Sequence, residues 1–158
     1  LFTVMGPIPP RLPGPAVLAL DDPRVTCPLI VDGVPVSPAM VRHAFRILGP
    51  DRTVLVTDAV AAAGMPDGDY ELSGQIVTAK AGVVRNASGA LAGSALTMAL
   101  AAQNFLSIVR DAGPWTLARV AASNPARLIG ADAYGTITKG TRAAFTLLGD
   151  DGGVRCVR

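Results

Sequence analysis

The sequence contains few of the residues that usually bind metals or carry acid–base chemistry. Histidine occurs once and cysteine twice in 158 residues, and no His-x-His, His-Glu-x-x-His or Cys-x-x-Cys pattern is present. This argues against a zinc site made by this chain alone. His43 lies in a predicted helix beside Arg42 and Arg46, where a single histidine is more often a surface residue than a ligand. Cys27 and Cys156 are far apart in apolar segments, so we expect buried free thiols in a reducing cytoplasm.

Charged and aromatic side chains are also scarce. Charged residues make up 16% of the chain, below the usual quarter, and aromatic residues make up 4%. The core is therefore predicted to consist mostly of Ala, Val, Leu and Ile. The low charge fits either an apolar surface that another segment covers or a small domain with an alanine-rich surface.

Several classes of protein lack their sequence signals here. The 14 Lys and Arg residues form no basic run with interleaved aromatics, so nucleic-acid binding is not predicted. No apolar stretch approaches the roughly 20 residues needed to span a bilayer. The first residues lack the basic and long apolar regions of a signal peptide. Because the chain begins without Met, in what looks like the middle of an element, we expect a cytoplasmic fragment.

A strand, a helix and a second strand are predicted between residues 25 and 57. Residues 25–31 and 53–57 are short, continuously apolar runs, which are typical of buried parallel strands. Between them, Ser37 is a predicted helix N-cap, and Gly49 followed by Pro50 ends the helix. This order and spacing favour a parallel βαβ unit in an α/β protein.

Each of these strands is followed by an aspartate, Asp32 after the first and Asp58 after the second. Active sites of parallel α/β folds gather at the carboxyl ends of strands. A carboxylate there is costly unless it is paired, bound to a metal or exposed in a pocket. Asp58 is therefore a candidate catalytic residue, with helix capping or loop bracing as the alternatives.

The remaining segments predict shorter elements. Residues 6–15 are too rich in proline and glycine for a helix or central strand. Ser94 lacks the second glycine of a nucleophile elbow, and no suitable histidine follows it. It is predicted instead to cap a long helix with Leu96, Leu100, Asn104 and Ile108 on one face. The turn at 89–93 can offer backbone N–H groups to an anion or a sugar hydroxyl. We predict an antiparallel excursion over 68–93 (strands 70–72, 75–78 and 83–85), helices at 115–122 and from 124, and strands at 135–137, 144–148 and 154–157.

Motifs along the whole chain resemble one enzyme family. Leu-Val-Thr-Asp-Ala at 55–59 and Leu-Ala-Gly-Ser-Ala-Leu-Thr-Met at 91–98 are the main ones. Residues 1–5, 11–14, 30–36, 123–130 and 135–140 agree in order and spacing. The chain resembles the C-terminal part of the N-acetylglucosamine-6-phosphate deacetylases of the amidohydrolase superfamily.

The resemblance implies a fold. The family has a (β/α)8 metal-dependent hydrolase barrel and a small β-sandwich built from both ends of the chain. By this resemblance, residues 1–134 form part of the barrel, with its last two strands at 25–31 and 53–57, the excursion over 68–93 and the closing helices. Residues 135–158 supply strands of the sandwich.

The resemblance also implies a reaction, the hydrolysis of N-acetylglucosamine 6-phosphate by a water activated by a divalent metal, zinc or iron. Asp58 matches the aspartate that takes the proton of this water and passes it to the leaving amine. Leu91, Ala92 and Gly93 match a loop that contacts the sugar. Arg11 matches an arginine that binds the phosphate across a homodimer interface. The implied partners are an amino-sugar phosphate, a second copy and an N-terminal half.

This chain departs from the family pattern at several site positions. The metal ligands, a glutamate and two histidines, are expected upstream of residue 1, so none is predicted in this chain. Pro35 occupies the position of a substrate-binding histidine, Thr3 and Val4 replace an Asn-Ala pair, and Leu12 replaces a glutamate.

Three hypotheses follow from these matches and departures. The chain is a deacetylase fragment that is active only with its N-terminal half, a non-catalytic domain that retains sugar-phosphate binding, or an unrelated sugar-phosphate binding module. An isolated pair of barrel strands would have an open edge and an uncovered apolar face, which favour association.

Overall fold

The structure is a computed structural model that describes residues 1–6, 8, 10–149 and 153–157. Helices and strands alternate up to residue 56. Four consecutive strands, a group of helices and two further strands follow. In chain order they are α1 (Pro15–Asp21), β1 (Cys27–Ile30), α2 (Pro38–Arg52), β2 (Thr53–Val56), β3 (Gly68–Leu72), β4 (Gln75–Lys80), β5 (Val83–Asn86), β6 (Leu91–Ser94), α3 (Met98–Ile108), α4 (Pro114–Ala118), α5 (Asn124–Leu128), β7 (Phe145–Leu148) and β8 (Val154–Val157). The fold is thus mixed α/β, and none of the described helices is long and apolar enough to cross a membrane.

The predicted βαβ unit is confirmed. Strands β1 and β2 pair in parallel, with Cys27 opposite Thr53 and Ile30 opposite Val56. The Ser37 hydroxyl caps α2 by accepting a hydrogen bond from the Met40 N–H. The helix is interrupted at Gly49, whose φ of 66° is left-handed, and this is where the sequence predicts its end. The prediction missed α1, which starts with Pro15 at its first turn.

The excursion contains one strand more than predicted. Strands β3 to β6 form an antiparallel sheet in sequential order, with a small cluster around Val77 and Val84 on its buried face. The prediction that Ser94 caps a helix is wrong, because Ser94 ends β6 and the helix cap is Thr97. The glycine- and alanine-rich β6 has little intrinsic strand propensity and is held by its pairing with β5.

The main core lies between β1–β2 and helices α2 and α3, and it consists mostly of Ala, Val, Leu and Ile, as predicted. Its largest fully buried side chain is Phe105 of α3, whose ring packs edge-on against Phe45 of α2 at 5.3 Å between centroids. The predicted buried face of α3 needs correction, since Leu100 is 46% exposed while Ala101 is fully buried. The helix begins three residues later than predicted, so the buried Leu96 lies before it and not on its face.

A buried amide side chain links the C-terminal helices to the βαβ unit. The Asn124 side chain donates to the carbonyl oxygens of Pro50 at 2.6 Å and Thr53 at 2.7 Å. Helix α4 begins one residue before the predicted helix at 115–122, continues as a π-helical turn over 119–123 and leads into α5. Asn124 thus starts a helix, as predicted.

The predicted strand at 135–137 is wrong, since these residues form no strand. Gly135 has a φ of 77° and lies against the Ala122–Ser123 backbone, where a Cβ would come within 2.8 Å. The Ser123 hydroxyl donates a hydrogen bond to the Gly135 carbonyl oxygen. This close approach replaces strand pairing. The later predicted strands correspond to the hairpin β7–β8.

The two cysteines differ in exposure, which corrects the prediction that both are buried. Cys27 is 2% exposed, whereas Cys156 is exposed, and both are free thiols. Burial raises the pKa of the Cys27 thiol, with weaker opposing effects from the N-terminal amine and Arg52.

We therefore expect thiol titration with a chromogenic disulfide at pH 8 to show one fast-reacting group per chain. Cys156→Ser should remove this phase, because the buried, largely protonated Cys27 reacts slowly. In urea, both thiols should react quickly. Two fast phases in the folded protein would contradict the burial of Cys27.

Candidate functional site

Two aspartates lie at the carboxyl edge of the parallel strands. Asp32 follows the end of β1 by two residues, and Asp58 follows the end of β2 by two residues. The register pairs the last residues of the two strands, Ile30 and Val56, so both carboxylates leave the sheet at the same edge. Asp58 is exposed and has a left-handed backbone with φ of 54°, whereas Asp32 is half-buried.

Ser94, at the end of β6, links the two aspartates. Its backbone N–H donates to the Asp58 carbonyl at 2.8 Å, and its carbonyl accepts from the Val60 N–H at 3.0 Å. Its hydroxyl donates to Asp32 Oδ2 at 3.2 Å and accepts from the Leu96 N–H at 2.9 Å. Because Ser94 is 3% exposed, these bonds are shielded from water. They fix the backbone of Asp58 in an uncommon conformation while its side chain stays accessible.

Each carboxylate oxygen of Asp32 accepts one hydrogen bond. Its Oδ1 accepts the Val34 N–H at 2.9 Å, forming an Asx turn, and its Oδ2 accepts the Ser94 hydroxyl. On the adjacent residue, the Val31 carbonyl accepts from the Asn104 side chain of α3 at 2.8 Å. Asp32 therefore braces the loop after β1, whereas the exposed Asp58 carboxylate makes no hydrogen bond or ion pair with the described residues.

Gly93 brings the 91–93 segment against the backbone of Asp58. Its φ is 81°, and an added Cβ would lie 2.4 Å from Val60 Cγ1 and 3.1 Å from the Asp58 carbonyl oxygen. Leu91 of the same segment is 41% exposed, and Ala92 is half-buried. The structure thus brings the predicted sugar-contacting segment next to the predicted catalytic aspartate.

We expect Gly93→Ala to destabilise the protein more than Gly82→Ala. Gly82 has a φ of 79° and open space where its Cβ would be, so it isolates the backbone cost, about 1–2 kcal/mol. Gly93 adds the displacement of Val60, about 1–3 kcal/mol more. Urea denaturation of both variants measures the difference. Equal losses would show that the segment does not press on Val60.

The other predicted site residues lie in exposed loops. Thr3 and Val4 are exposed in a turn near the amino terminus, Arg11 is exposed, and Pro35 is half-buried before α2. No hydrogen bond or ion pair among the described residues joins these four to Asp58. Part of the proline-rich segment, residues 7 and 9, lies outside the described residues.

Sequence reasoning missed the linking roles of Ser94 and Asn104. Their contacts span 62 and 73 residues, so no local pattern signals them. His43 is exposed on α2, as predicted. Over residues 1–6, 8, 10–149 and 153–157, no group of three or more His, Cys, Asp or Glu is placed to hold a metal ion.

Comparison with known proteins relates the chain to one group of enzymes. It is 40% identical over 139 residues to an Escherichia coli protein named "Putative N-acetylgalactosamine-6-phosphate deacetylase", covering 87% of this chain and 82% of that protein. It is 32% identical to the N-acetylglucosamine-6-phosphate deacetylase of Bacillus subtilis, covering 96% of this chain and 38% of the relative. No family model matches.

A solved structure has the same fold over nearly the whole chain. The N-acetyl-D-glucosamine-6-phosphate deacetylase of Mycobacterium smegmatis, an aspartate-to-alanine mutant in complex with N-acetyl-D-glucosamine-6-phosphate, is 42% identical with a TM-score of 0.90. The match covers 98% of this chain and 41% of that one. The chain therefore spans about two fifths of this enzyme and of the Bacillus relative, although it spans most of the Escherichia coli protein.

Proposed function

We propose that this chain supplies the catalytic aspartate of a deacetylase. The chain belongs to the family of N-acetylglucosamine- and N-acetylgalactosamine-6-phosphate deacetylases. The reaction is the hydrolysis of N-acetylglucosamine 6-phosphate to glucosamine 6-phosphate and acetate. The observation that carries the proposal is the exposed Asp58 at the carboxyl edge of β2, held by Ser94.

The architecture follows from this proposal. Strands β1 and β2 are the last two strands of a (β/α)8 barrel, within a barrel part over 1–134. The hairpin β7–β8 belongs to a small β-sandwich over 135–158. The parallel register of β1 and β2 and their continuous burial support the barrel. The N-terminal amine donates to the Pro28 carbonyl of β1, so the start of the chain lies beside this strand.

Asp58 acts as the proton carrier of the hydrolysis. Its carboxylate accepts a proton from the attacking water while the water oxygen bonds to the acetyl carbonyl carbon. It then gives this proton to the amide nitrogen as the C–N bond breaks, releasing acetate and the free amine. The rigid backbone around Asp58 supports this role, because a proton carrier must be held in fixed geometry.

The proposed substrate-binding residues lie near the carboxyl edge of β2 or in exposed loops. Leu91, Ala92 and Gly93 contact the sugar, which their position against Asp58 supports. Arg11 binds the phosphate across a homodimer interface, and its exposure supports this role. Thr3, Val4 and Pro35 occupy substrate-facing positions without the polar groups of the family pattern.

The described residues do not fit a metal site. Asp32 already uses both carboxylate oxygens for hydrogen bonds, and no third ligand lies near the two aspartates. A divalent metal, zinc or iron, therefore has no complete ligand set in the described part of this chain.

A chimera tests the proposed function. It joins the upstream part of the Mycobacterium smegmatis deacetylase to this chain, and acetate release is measured with both N-acetylhexosamine 6-phosphates and added divalent metal. Acetate release from N-acetylglucosamine 6-phosphate is expected. A folded chimera without activity on either epimer would overturn the proposal.

A second candidate function is supported by the departures at Thr3, Val4, Leu12 and Pro35. In that case the chain binds an amino-sugar phosphate without hydrolysing it. Calorimetry with glucosamine 6-phosphate distinguishes the two functions when it is combined with the chimera assay. Binding that Arg11→Ala abolishes, together with an inactive chimera, would favour the non-catalytic domain.

A further inference from the structure

A groove with three arginines lies between helices α2 and α3, away from Asp58. Its volume is about 720 Å³. It borders Gly49, which precedes the start of β2, whereas Asp58 follows the end of that strand. The length of β2 therefore separates the groove from the proposed catalytic edge.

The cationic side of the groove has no charge partner. Arg42 and Arg46 lie one turn apart on α2, and Arg110 follows α3 on the opposite wall. Among the described residues, none of these three makes an ion pair or a hydrogen bond. By contrast, Arg24 pairs with Asp22 and Arg119 pairs with Asp51.

This arrangement of charge is unfavourable for the protein alone. Like charges four residues apart on a helix repel each other, and Asp51, the one acidic residue of α2, pairs with Arg119 instead. Asp111 is the one acidic residue in the lining. The groove therefore has a positive local potential that an anion would neutralise.

Apolar side chains also line the groove. They are Phe45, Ile108 and Val109, and the Phe45 ring packs edge-on against Phe105. A ligand with an anionic group and a small apolar or ring-shaped body would meet both the arginines and these apolar side chains.

We infer that this groove binds a phosphomonoester of small-molecule size. Guanidinium groups form paired hydrogen bonds with phosphate oxygens, which favours phosphate over a single negative charge. The volume lies within the range of small-molecule pockets, roughly 300–1,000 Å³. The inference does not depend on the proposed deacetylase function, because it uses neither Asp58 nor Arg11.

Titration of the 158-residue protein with phenyl phosphate and with inorganic phosphate tests the inference. Amide chemical shifts should move for residues 42–49 and 107–111, and calorimetry should give tighter binding for phenyl phosphate. Arg42→Gln/Arg46→Gln should weaken its binding at least tenfold. The matched control, Lys80→Gln/Lys139→Gln, removes two exposed positive charges elsewhere and should leave the Kd within about twofold.

Three outcomes would overturn the inference. In the first, the lysine control weakens phenyl phosphate binding as much as the α2 variant does. In the second, the amide shifts change outside the groove. In the third, Arg11→Gln abolishes phosphate binding while the α2 variant retains it. Arg110→Gln provides a second variant on the other wall, with an expected loss of several-fold, in case the double substitution perturbs α2. Circular dichroism melting of every variant confirms that the folds match.

Discussion

Asp58→Asn in the chimera is expected to lower kcat for acetate release by about 10²–10⁴-fold, the usual contribution of a general acid–base residue. Asparagine retains the size and the left-handed backbone that Ser94 holds at this position. Its amide cannot accept the proton of the attacking water. The substitution therefore removes the proposed proton carrier while keeping the site geometry, and KM should change much less than kcat.

The matched control is Asp132→Asn, which removes a carboxylate from an exposed position outside the site. It should leave kcat within about twofold, as exposed substitutions usually do. If Asp58→Asn keeps more than a tenth of the activity, the proton is carried by another group. Asp32 would be the next residue to test, although its two oxygens already accept hydrogen bonds.

The βαβ unit could be predicted because its signals are local. The apolar runs that become β1 and β2, the Ser37 cap and the Gly49 break each act within a few residues. Two parallel strands joined by a helix bring their carboxyl ends to one edge. The neighbouring positions of Asp32 and Asp58 therefore followed from the sequence.

The rest of the site could not be predicted, because it depends on distant contacts. Strand β6 exists through pairing with β5 and a parallel bridge between Ala59 and Ser94. Its sequence predicts a turn followed by a helix cap, and a serine favours such a cap when only its neighbours are considered. Its actual bonds reach Asp32 across the fold. The strand predicted at Gly135 is absent for a related reason, because this glycine packs against the backbone of residues 122–123.

The same core that positions the strands makes the protein sensitive to one aromatic residue. Phe105→Ala is expected to lower the free energy of unfolding by about 3–5 kcal/mol. The side chain is fully buried between α3 and α2, and its removal also loses the edge-on contact with Phe45. The loss is a large share of the 5–15 kcal/mol that is typical of a domain.

Trp115→Ala is the matched control, because it removes a larger aromatic side chain that is 86% exposed. This control should change stability by no more than about 0.5 kcal/mol. Urea denaturation followed by circular dichroism measures both variants. A loss below about 1 kcal/mol for Phe105→Ala would mean that α2 and α3 close over the cavity. The packing of α2 and α3 on β1 and β2 would then be adaptable, whereas a fixed backbone at Asp58 requires rigid packing.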